Sequence, residues 1–530
     1  MEILMYSQIS SAVVSGLDII PVTVETDMSD GLPQFTMVGY VSAQVREAED
    51  RIRTAFRNSN IELPVKRVTI NISPADIRKN GSFYDLPIAL SLLASAGLIP
   101  PHSLDGVMAV GELSLSGNIN SVRGALPVAS AALSSGIRTL ILPAANLAEA
   151  RAIRRLSSVG IRTLNEAVGF LRHGKTAEDA DCFTAAGPAA ADTGDEDFSE
   201  VRGQQTARRA AEIAVSGFHN LILAGVPGAG KTMLAKRVPS ILPSLTEKEC
   251  LEISTIYSIA GLLDPAHPMI RRRPFRSPHH TASPQALAGG GQVPRPGEIT
   301  LAHRGVLFLD ELPEFSRKSL EILRQPLEER EIVISRASGC FRFPANFLLL
   351  AAMNHCPCGQ FPDRNRCPCS PWDIRAYTAR ISKALMDRID LWVECPAVSY
   401  ADLLTDNKPA ESSADIRLRV EAVRLREAER FRGTPFHFNS EIPPGSIRQF
   451  CEMDSEAEIR LSRMYDSCHL SARSCHRVLK VARTIADMDG SDVIHGIHID
   501  EALTFRTPEK SPNEDDTGFR YQHITAWTDT

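Results

Sequence analysis

A chain of 530 residues is too long for one ordinary hydrophobic core; at about 150 residues per domain it predicts three or four. With 43% hydrophobic and 23% charged residues, wholesale disorder is excluded, and 58 basic against 64 acidic side chains, net −6, exclude a histone-like coat of positive charge. A basic channel inside a ring would not show in that average. No stretch approaches about 18 consecutive apolar residues, so no transmembrane helix is expected. The start, Met1-Glu2-Ile3-Leu4, lacks a signal peptide's basic region and apolar run, so a cytoplasmic location is expected. Eleven cysteines, four of them between Cys356 and Cys369, suit a reducing compartment and one metal knot better than a disulfide scaffold.

Residues 1–172 read as one α/β unit. Alternation predicts a strand over Val65–Ser73, and helical spacing predicts helices over Ser42–Ser59 and Leu86–Ala96, the latter stopped by Gly97. Gly106–Leu113 and Asn118–Val122, joined by Ser114-Leu-Ser-Gly117, predict a hairpin. Residues 173–197 are small, acidic and poor in large apolar groups, so they cannot offset their ordering entropy and predict a linker. A second α/β unit follows over 198–396, then a helical region over 397–506 and a tail over 507–530.

The strongest motif is Gly225-Val226-Pro227-Gly228-Ala229-Gly230-Lys231-Thr232, a complete G-x-x-x-x-G-K-[ST] between an apolar strand, Leu221–Ala224, and a helical stretch, Met233–Arg237. The glycines let backbone N–H groups close around phosphates, with Lys231 reaching the β- and γ-phosphates and the Thr232 hydroxyl on Mg²⁺. A second apolar strand, Gly305–Leu309, ends in Asp310 and Glu311; Asp310 is placed to hold Mg²⁺ and Glu311 to polarise the attacking water. A third, Phe347–Met353, ends in Asn354, a polar group for orienting that water.

Further ordered segments carry a family resemblance: Arg273-Pro-Phe-Arg-Ser-Pro-His-His-Thr-Ala-Ser283, Gly289-Gly-Gly291, Pro296-Gly-Glu-Ile-Thr-Leu-Ala-His303, Leu309-Asp-Glu-Leu-Pro-Glu-Phe315 and Leu385-Met-Asp-Arg-Ile-Asp-Leu391. With the phosphate loop, they resemble the AAA+ ATPases of the magnesium-chelatase-like branch, and more narrowly the bacterial YifB/ComM family, over about residues 3–172 and 198–506. The resemblance implies a Lon-protease-like (ribosomal S5-type) α/β N-terminal domain, a P-loop AAA+ core with a parallel sheet, and a C-terminal helical lid. It also implies a homo-hexameric ring with ATP between subunits. Arg388 then matches an arginine finger acting on the neighbour's nucleotide, and Arg473 the sensor arginine of the lid, with Arg477 and Arg483 as rivals on the same helix. A permanently charged guanidinium suits charge building on a γ-phosphate.

Between Lys231 and Asp310 the chain is long for this architecture. The excess, Ile270–His303, carries Arg271, Arg272, Arg273 and Arg276, then His279-His280 and a Gly-rich turn; by resemblance it is an insertion projecting into the pore. Glu331–Phe343 predicts a hairpin with Arg336 near its tip. A ring of such tips would surround a nucleic-acid backbone with positive charge, so Arg336 and Arg276 are the candidate DNA contacts. The two histidines shape the insertion rather than hold a metal. Cys356-Pro-Cys358 and Cys367-Pro-Cys369, in a polar loop, suit one tetrahedral structural Zn²⁺, with His355 as an alternative fourth ligand.

In the N-terminal domain, the position matching a Lon-type nucleophilic serine falls at or near Asp85, with Ser82 offset, and the position matching its lysine falls at Leu126. Proteolysis is therefore not expected. That domain is expected to stack as a second tier and bind DNA or a partner, with Arg51, Arg53 and Arg57 on one helix face. The favoured function is an ATP-hydrolysing ring motor that translocates on single-stranded or branched DNA, promoting branch migration or unwinding in recombination or natural transformation, alongside recombination proteins. The alternative is a chelatase-type or protein-remodelling ATPase that does not act on DNA.

Overall fold

The computed structural model describes residues 5–173, 196–291, 294–336, 339–397, 411–467 and 470–506. The expected tail, and all but the ends of the expected linker, lie outside the described residues.

In the N-terminal unit, β1 (Tyr6–Ser15) and β2 (Asp18–Ser29) form an antiparallel hairpin. With β3 (Phe35–Val38), β4 (Arg67–Ser73), β5 (Val107–Ala109), β6 (Thr139–Pro143) and β7 (Ser157–Ile161) they build a mixed sheet in the order β3-β4-β2-β1-β5-β6-β7. Strand β4 alternates buried and part-exposed residues along Arg67–Ser73, the period-two pattern of a sheet covered on one face. A helix over Asp85–Ser95 is buried along its whole length and crosses β1 and β2.

Two expectations are corrected. The helix expected over Ser42–Ser59 breaks into Ala43–Arg46 and Ala48–Asn58, with Glu47 at the joint. The hairpin expected over 106–122 is divided: β5 lies in the main sheet, parallel to β1 and β6, and only Glu112–Leu113 pairs with Ile119–Asn120. The cause is local bonding at Gly111, whose N–H donates to Phe83 O and whose carbonyl accepts from Leu86 N, which pulls the chain out of the ladder.

The second unit is built on β8 (Leu221–Gly225), β9 (Phe275–Arg276), β10 (Val306–Leu309), β13 (Leu348–Met353) and β14 (Leu391–Cys395), all parallel, in the order β9-β10-β13-β8-β14. Between β10 and β13, β11 (Glu331–Arg336) and β12 (Gly339–Pro344) form the expected hairpin. Strands β8, β10 and β13 are buried throughout and covered on both faces, hence their continuous apolar runs. Because β9 pairs with Val306 and Leu307, Ile270–Arg276 leads into the sheet, and the excess segment begins only after Arg276.

The helix over Ala472–Met488 packs against those over Ser413–Arg430 and Gly496–Thr504, and with Ser413–Arg430 it packs against Gln205–Gly217 of the second unit. The N-terminal unit touches the second through the helix over Glu247–Ala260. Gly124 N donates to Ser258 O at 3.0 Å, and the Ser258 hydroxyl donates to buried Glu149 at 2.6 Å. Leu126, the position matched to a protease lysine, is fully buried at this seam, its N–H toward Ser258 Oγ.

At the joint of sheet and helical region, His219 is fully buried, its Nε2 2.8 Å from Thr484 Oγ1 and its Nδ1 3.9 Å from Asp390. Burial pushes its pKa down to about 4, although Asp390 pulls the other way. The folded chain therefore excludes a proton that an unfolded histidine binds below about pH 6.5. The stability this confers is complete above that pH and is lost as pH falls toward 4. Lowering pH from 7 to 5 should cost about 2 kcal/mol through this group; chemical denaturation should show that difference in the wild type and a smaller one in His219→Asn.

Candidate nucleotide site

The C-terminal ends of three adjacent strands converge on one crevice. The chain leaves β8 into Gly225–Gly230, and the helix over Lys231–Ile241 starts there. The Lys231 ammonium, 9% exposed, donates to Gly225 O and Val226 O at 2.8 Å and to Asn354 Oδ1 at 3.1 Å. Burial lowers its pKa, opposed by nearby Cys395 and Asp310. Thr232 Oγ1 donates to Asp310 Oδ2 at 2.8 Å, the pair that suits Mg²⁺ held between a hydroxyl and a carboxylate. Five residues expected from sequence thus meet: Lys231, Thr232, Asp310, Glu311 and Asn354.

Glu311 has φ of +52°, a left-handed conformation that turns it out of the strand; its N–H bonds the Asp310 carboxylate, and its own carboxylate lies 3.4 Å from His280 Nδ1. In sequence His280 is only part of the insertion. Its place beside Glu311 follows from β9 running next to β10, a tertiary neighbour relation.

Arg388 lies at the other end of the sheet. Asn220, just before β8, donates through its side chain to Arg388 O at 3.1 Å, and its backbone N–H donates to Asp390 at 2.9 Å. A five-residue strand spans about 17 Å, so Arg388 cannot reach the phosphate loop of its own chain. Its side chain is 8% exposed and bonds Glu328 at 2.7 Å; Arg473 bonds the other oxygen of Glu328 at 2.8 Å. Of the rivals, Arg483 is buried against Asp487, and Arg477 faces Asp390 at 3.6 Å. Glu328 escaped sequence reasoning because a glutamate in Leu327-Glu-Glu-Arg330 carries no motif.

Arg276 makes a two-pronged pair with Glu298 at 2.7 and 2.8 Å, and Arg273 is buried against Glu249 and the carbonyls of Pro243 and Arg304. Arg273 and Arg276 of the arginine run are therefore committed to internal carboxylates. Arg336 is exposed on the last residue of β11; its guanidinium lies against Gly290 of the small antiparallel pair Gly289–Gly290 with Arg295–Pro296. The two segments expected to face a pore are thus in contact.

The four cysteine sulfurs lie within 4.8 Å of one another, with Cys356–Cys358, Cys356–Cys367 and Cys358–Cys367 at 3.4, 3.7 and 3.6 Å. Tetrahedral zinc with Zn–S of about 2.3 Å requires sulfurs about 3.8 Å apart, so the residues fit the ion. His355 turns away to Glu394, 2.8 Å distant, and among the described residues the metal-binding group is the four cysteines alone. The knot abuts the phosphate loop: a Cβ on Gly359 would stand 2.4 Å from Pro227 Cγ, so only glycine admits this approach.

In the N-terminal unit, Asp85 is buried and held by Arg51 through two 2.8 Å bonds, while the Ser82 hydroxyl bonds Glu112. Arg53 pairs with Glu49 at 3.0 Å, leaving Arg57 as the exposed member of that face without a carboxylate among its described contacts.

A phosphate loop after β8, an Asp-Glu pair after the second neighbouring strand and an asparagine after the strand between them, on this strand order, define a P-loop ATPase of the AAA+ type. Family models agree along the chain: "Subunit ChlI of Mg-chelatase" matches residues 24–146, "Magnesium chelatase, subunit ChlI" 197–403, and "Magnesium chelatase, subunit ChlI C-terminal" 410–506. The chain is 42% identical over 496 residues to the Escherichia coli (strain K12) protein YifB, covering 93% of this chain and 96% of that one. It is 40% identical over 512 residues to the competence protein ComM of Haemophilus influenzae, covering 95% and 97%. The magnesium-chelatase 38 kDa subunit of Rhodobacter capsulatus is 22% identical over 337 residues, 58% of this chain and 85% of that one. The chain belongs to the YifB/ComM family of magnesium-chelatase-like AAA+ proteins.

No helix among the described residues is long and apolar enough to cross a membrane. Lys231→Ala should weaken binding of a fluorescent ATP analogue by about 10- to 100-fold, the scale of losing one charge-assisted phosphate contact, while leaving the circular dichroism spectrum unchanged.

Proposed function

We propose that this chain is an ATP-driven ring motor, a homo-hexamer, that translocates on DNA and promotes branch migration or unwinding. The observation that carries the reading is the separation of Lys231 and Arg388 to opposite ends of one sheet. A site whose phosphate cradle and arginine belong to different copies needs an assembly. Family membership brings ATP and Mg²⁺; Gly225–Thr232 hold the phosphates, and Thr232 with Asp310 hold the ion, which supplies charge neutralisation on the phosphates when bound. Glu311 orients and deprotonates the attacking water, assisted by Asn354. Arg388 is the finger that meets the neighbour's γ-phosphate, and Arg473 is the sensor arginine of the lid.

DNA is the favoured track because Arg336 projects from a hairpin between two strands of the ATPase sheet and meets the second projecting segment at Gly290. Arg276, neutralised by Glu298, contributes less than its sequence context promised. The name of the Haemophilus relative, a competence protein, supports a role in processing incoming DNA. The N-terminal unit stacks as a second tier, with domain limits of 1–172, 198–396 and 397–506.

ATP hydrolysis should rise several-fold with single-stranded or branched DNA at low salt, and Arg336→Ala should lose that stimulation while keeping the DNA-free rate. A rate indifferent to DNA at low salt would replace this reading with a chelatase-type or protein-remodelling motor. The cysteine knot should hold one structural Zn²⁺ per chain. Metal analysis should find it in the wild type and not in Cys367→Ser, whose ATP affinity should fall because the loop braced by Gly359 against Pro227 loosens.

A further inference from the structure

Glu328 is the penultimate residue of a short helix, Arg324–Glu329, and Arg330, which follows it, leads directly into β11 and the Arg336 hairpin. Each of its carboxylate oxygens serves one arginine: Oε2 takes Arg388 Nη2 at 2.7 Å, and Oε1 takes Arg473 Nη2 at 2.8 Å. The two arginines come from distant parts of the chain, the segment before β14 and the start of the helix over Ala472–Met488. Partial burial raises the pKa of Glu328, but the bond to Arg388 and the charges of Arg388, Arg473 and Arg477 outweigh it, so its pKa is lowered and it stays ionised.

The geometry is that of a sheathed pair. Arg388 is 8% exposed; its Nη1 donates to Ala384 O, and its buried Nε has no hydrogen-bond partner among the described residues. A buried guanidinium left with an unused donor costs stability and is satisfied by an added acceptor. A γ-phosphate offers several anionic oxygens where Glu328 offers two, both taken, so it competes for the same guanidinium forks. The hairpin root is tied on its other side as well. Arg330 pairs with Glu441 of the helical region, and Arg330 O accepts from Ala345 N at the end of the hairpin.

We infer that Glu328 is a positioning residue that holds Arg388 and Arg473 at the root of the Arg336 hairpin and releases them to a neighbour's phosphate when the hairpin moves. The inference rests on the reading of those arginines as acting between subunits. It adds a mechanical link: displacement at Arg336 shifts the helix carrying Glu328, and the arginines change partner from carboxylate to phosphate. Charge balances at each stage, since one anionic acceptor replaces another.

The test compares wild type, Glu328→Gln and Glu328→Asp in the full-length protein, measuring ATPase rate with and without single-stranded DNA. The neutral glutamine keeps the shape and removes the charge. The DNA-free rate should rise about two- to fivefold, the scale of losing a partly exposed ion pair, and the ratio of DNA-stimulated to DNA-free rate should fall by the same factor. Glu328→Asp, which keeps the charge, should restore the ratio toward wild type. An unchanged ratio in Glu328→Gln, or a fall in both rates together, would overturn the inference, because a purely structural carboxylate scales both rates alike. The underlying reading is tested separately: Lys231→Ala and Arg388→Ala chains, each inactive alone, should regain ATPase when mixed. If mixing restores activity and the Glu328→Gln ratio is unchanged, the inference alone fails; if Arg388→Ala is as active as wild type, the reading of the arginines fails with it.

Discussion

The parallel sheet of the second unit imposes the constraint from which the remaining features follow. Parallel strands present all their C-terminal ends on one side, so the phosphate loop, Thr232, Asp310, Glu311 and Asn354 gather there without help from any other copy. The same polarity sends every segment that enters a strand to the opposite side. Arg388 and Asp390, just before β14, are tied there to Asn220, just before β8. A chain so built carries a phosphate cradle and an arginine cluster that face away from each other.

The elements around the sheet connect to one or other of those ends. On the phosphate side, the cysteine knot presses Gly359 against Pro227, and His355 at its base reaches Glu394 on β14, next to Cys395. On the arginine side, Glu328 gathers Arg388 and Arg473 beneath the hairpin, while Asp390 faces His219 and Arg477. The N-terminal unit touches more than the Glu247–Ala260 helix. Its β1–β2 turn also reaches the hairpin, where a Cβ on Gly16 would lie 3.3 Å from Phe341, and Leu17 packs with the same apolar cluster. The first unit is thus in direct contact with that hairpin.

Charge pairing explains why local basic runs mislead. Arg273 and Arg276 look available in sequence, yet Glu249 and Glu298 neutralise them, because burying an arginine without a carboxylate is costly and each is close to the apolar interior. Arg336, at the end of an exposed hairpin strand, lies against glycine backbone. Exposure separates Arg336 from Arg273 and Arg276, which brace the fold.

Sequence alone determined which residues form the candidate phosphate site, because a glycine-rich turn, a lysine and a strand-end carboxylate are local features whose chemistry depends on a few neighbours in the chain. It also determined the four-cysteine group and the alternation of helices and strands, since spacing and periodicity act over one turn or one strand. Tertiary structure decided the rest. Only strand order brings His280 to Glu311, and only the parallel direction of β14 sends Arg388 to the opposite end of the sheet. Only long-range packing joins Glu328 to arginines 60 and 145 positions further along the chain. The diversion of Gly111 to Phe83 likewise reflects backbone groups finding distant partners, a competition that local propensity does not record.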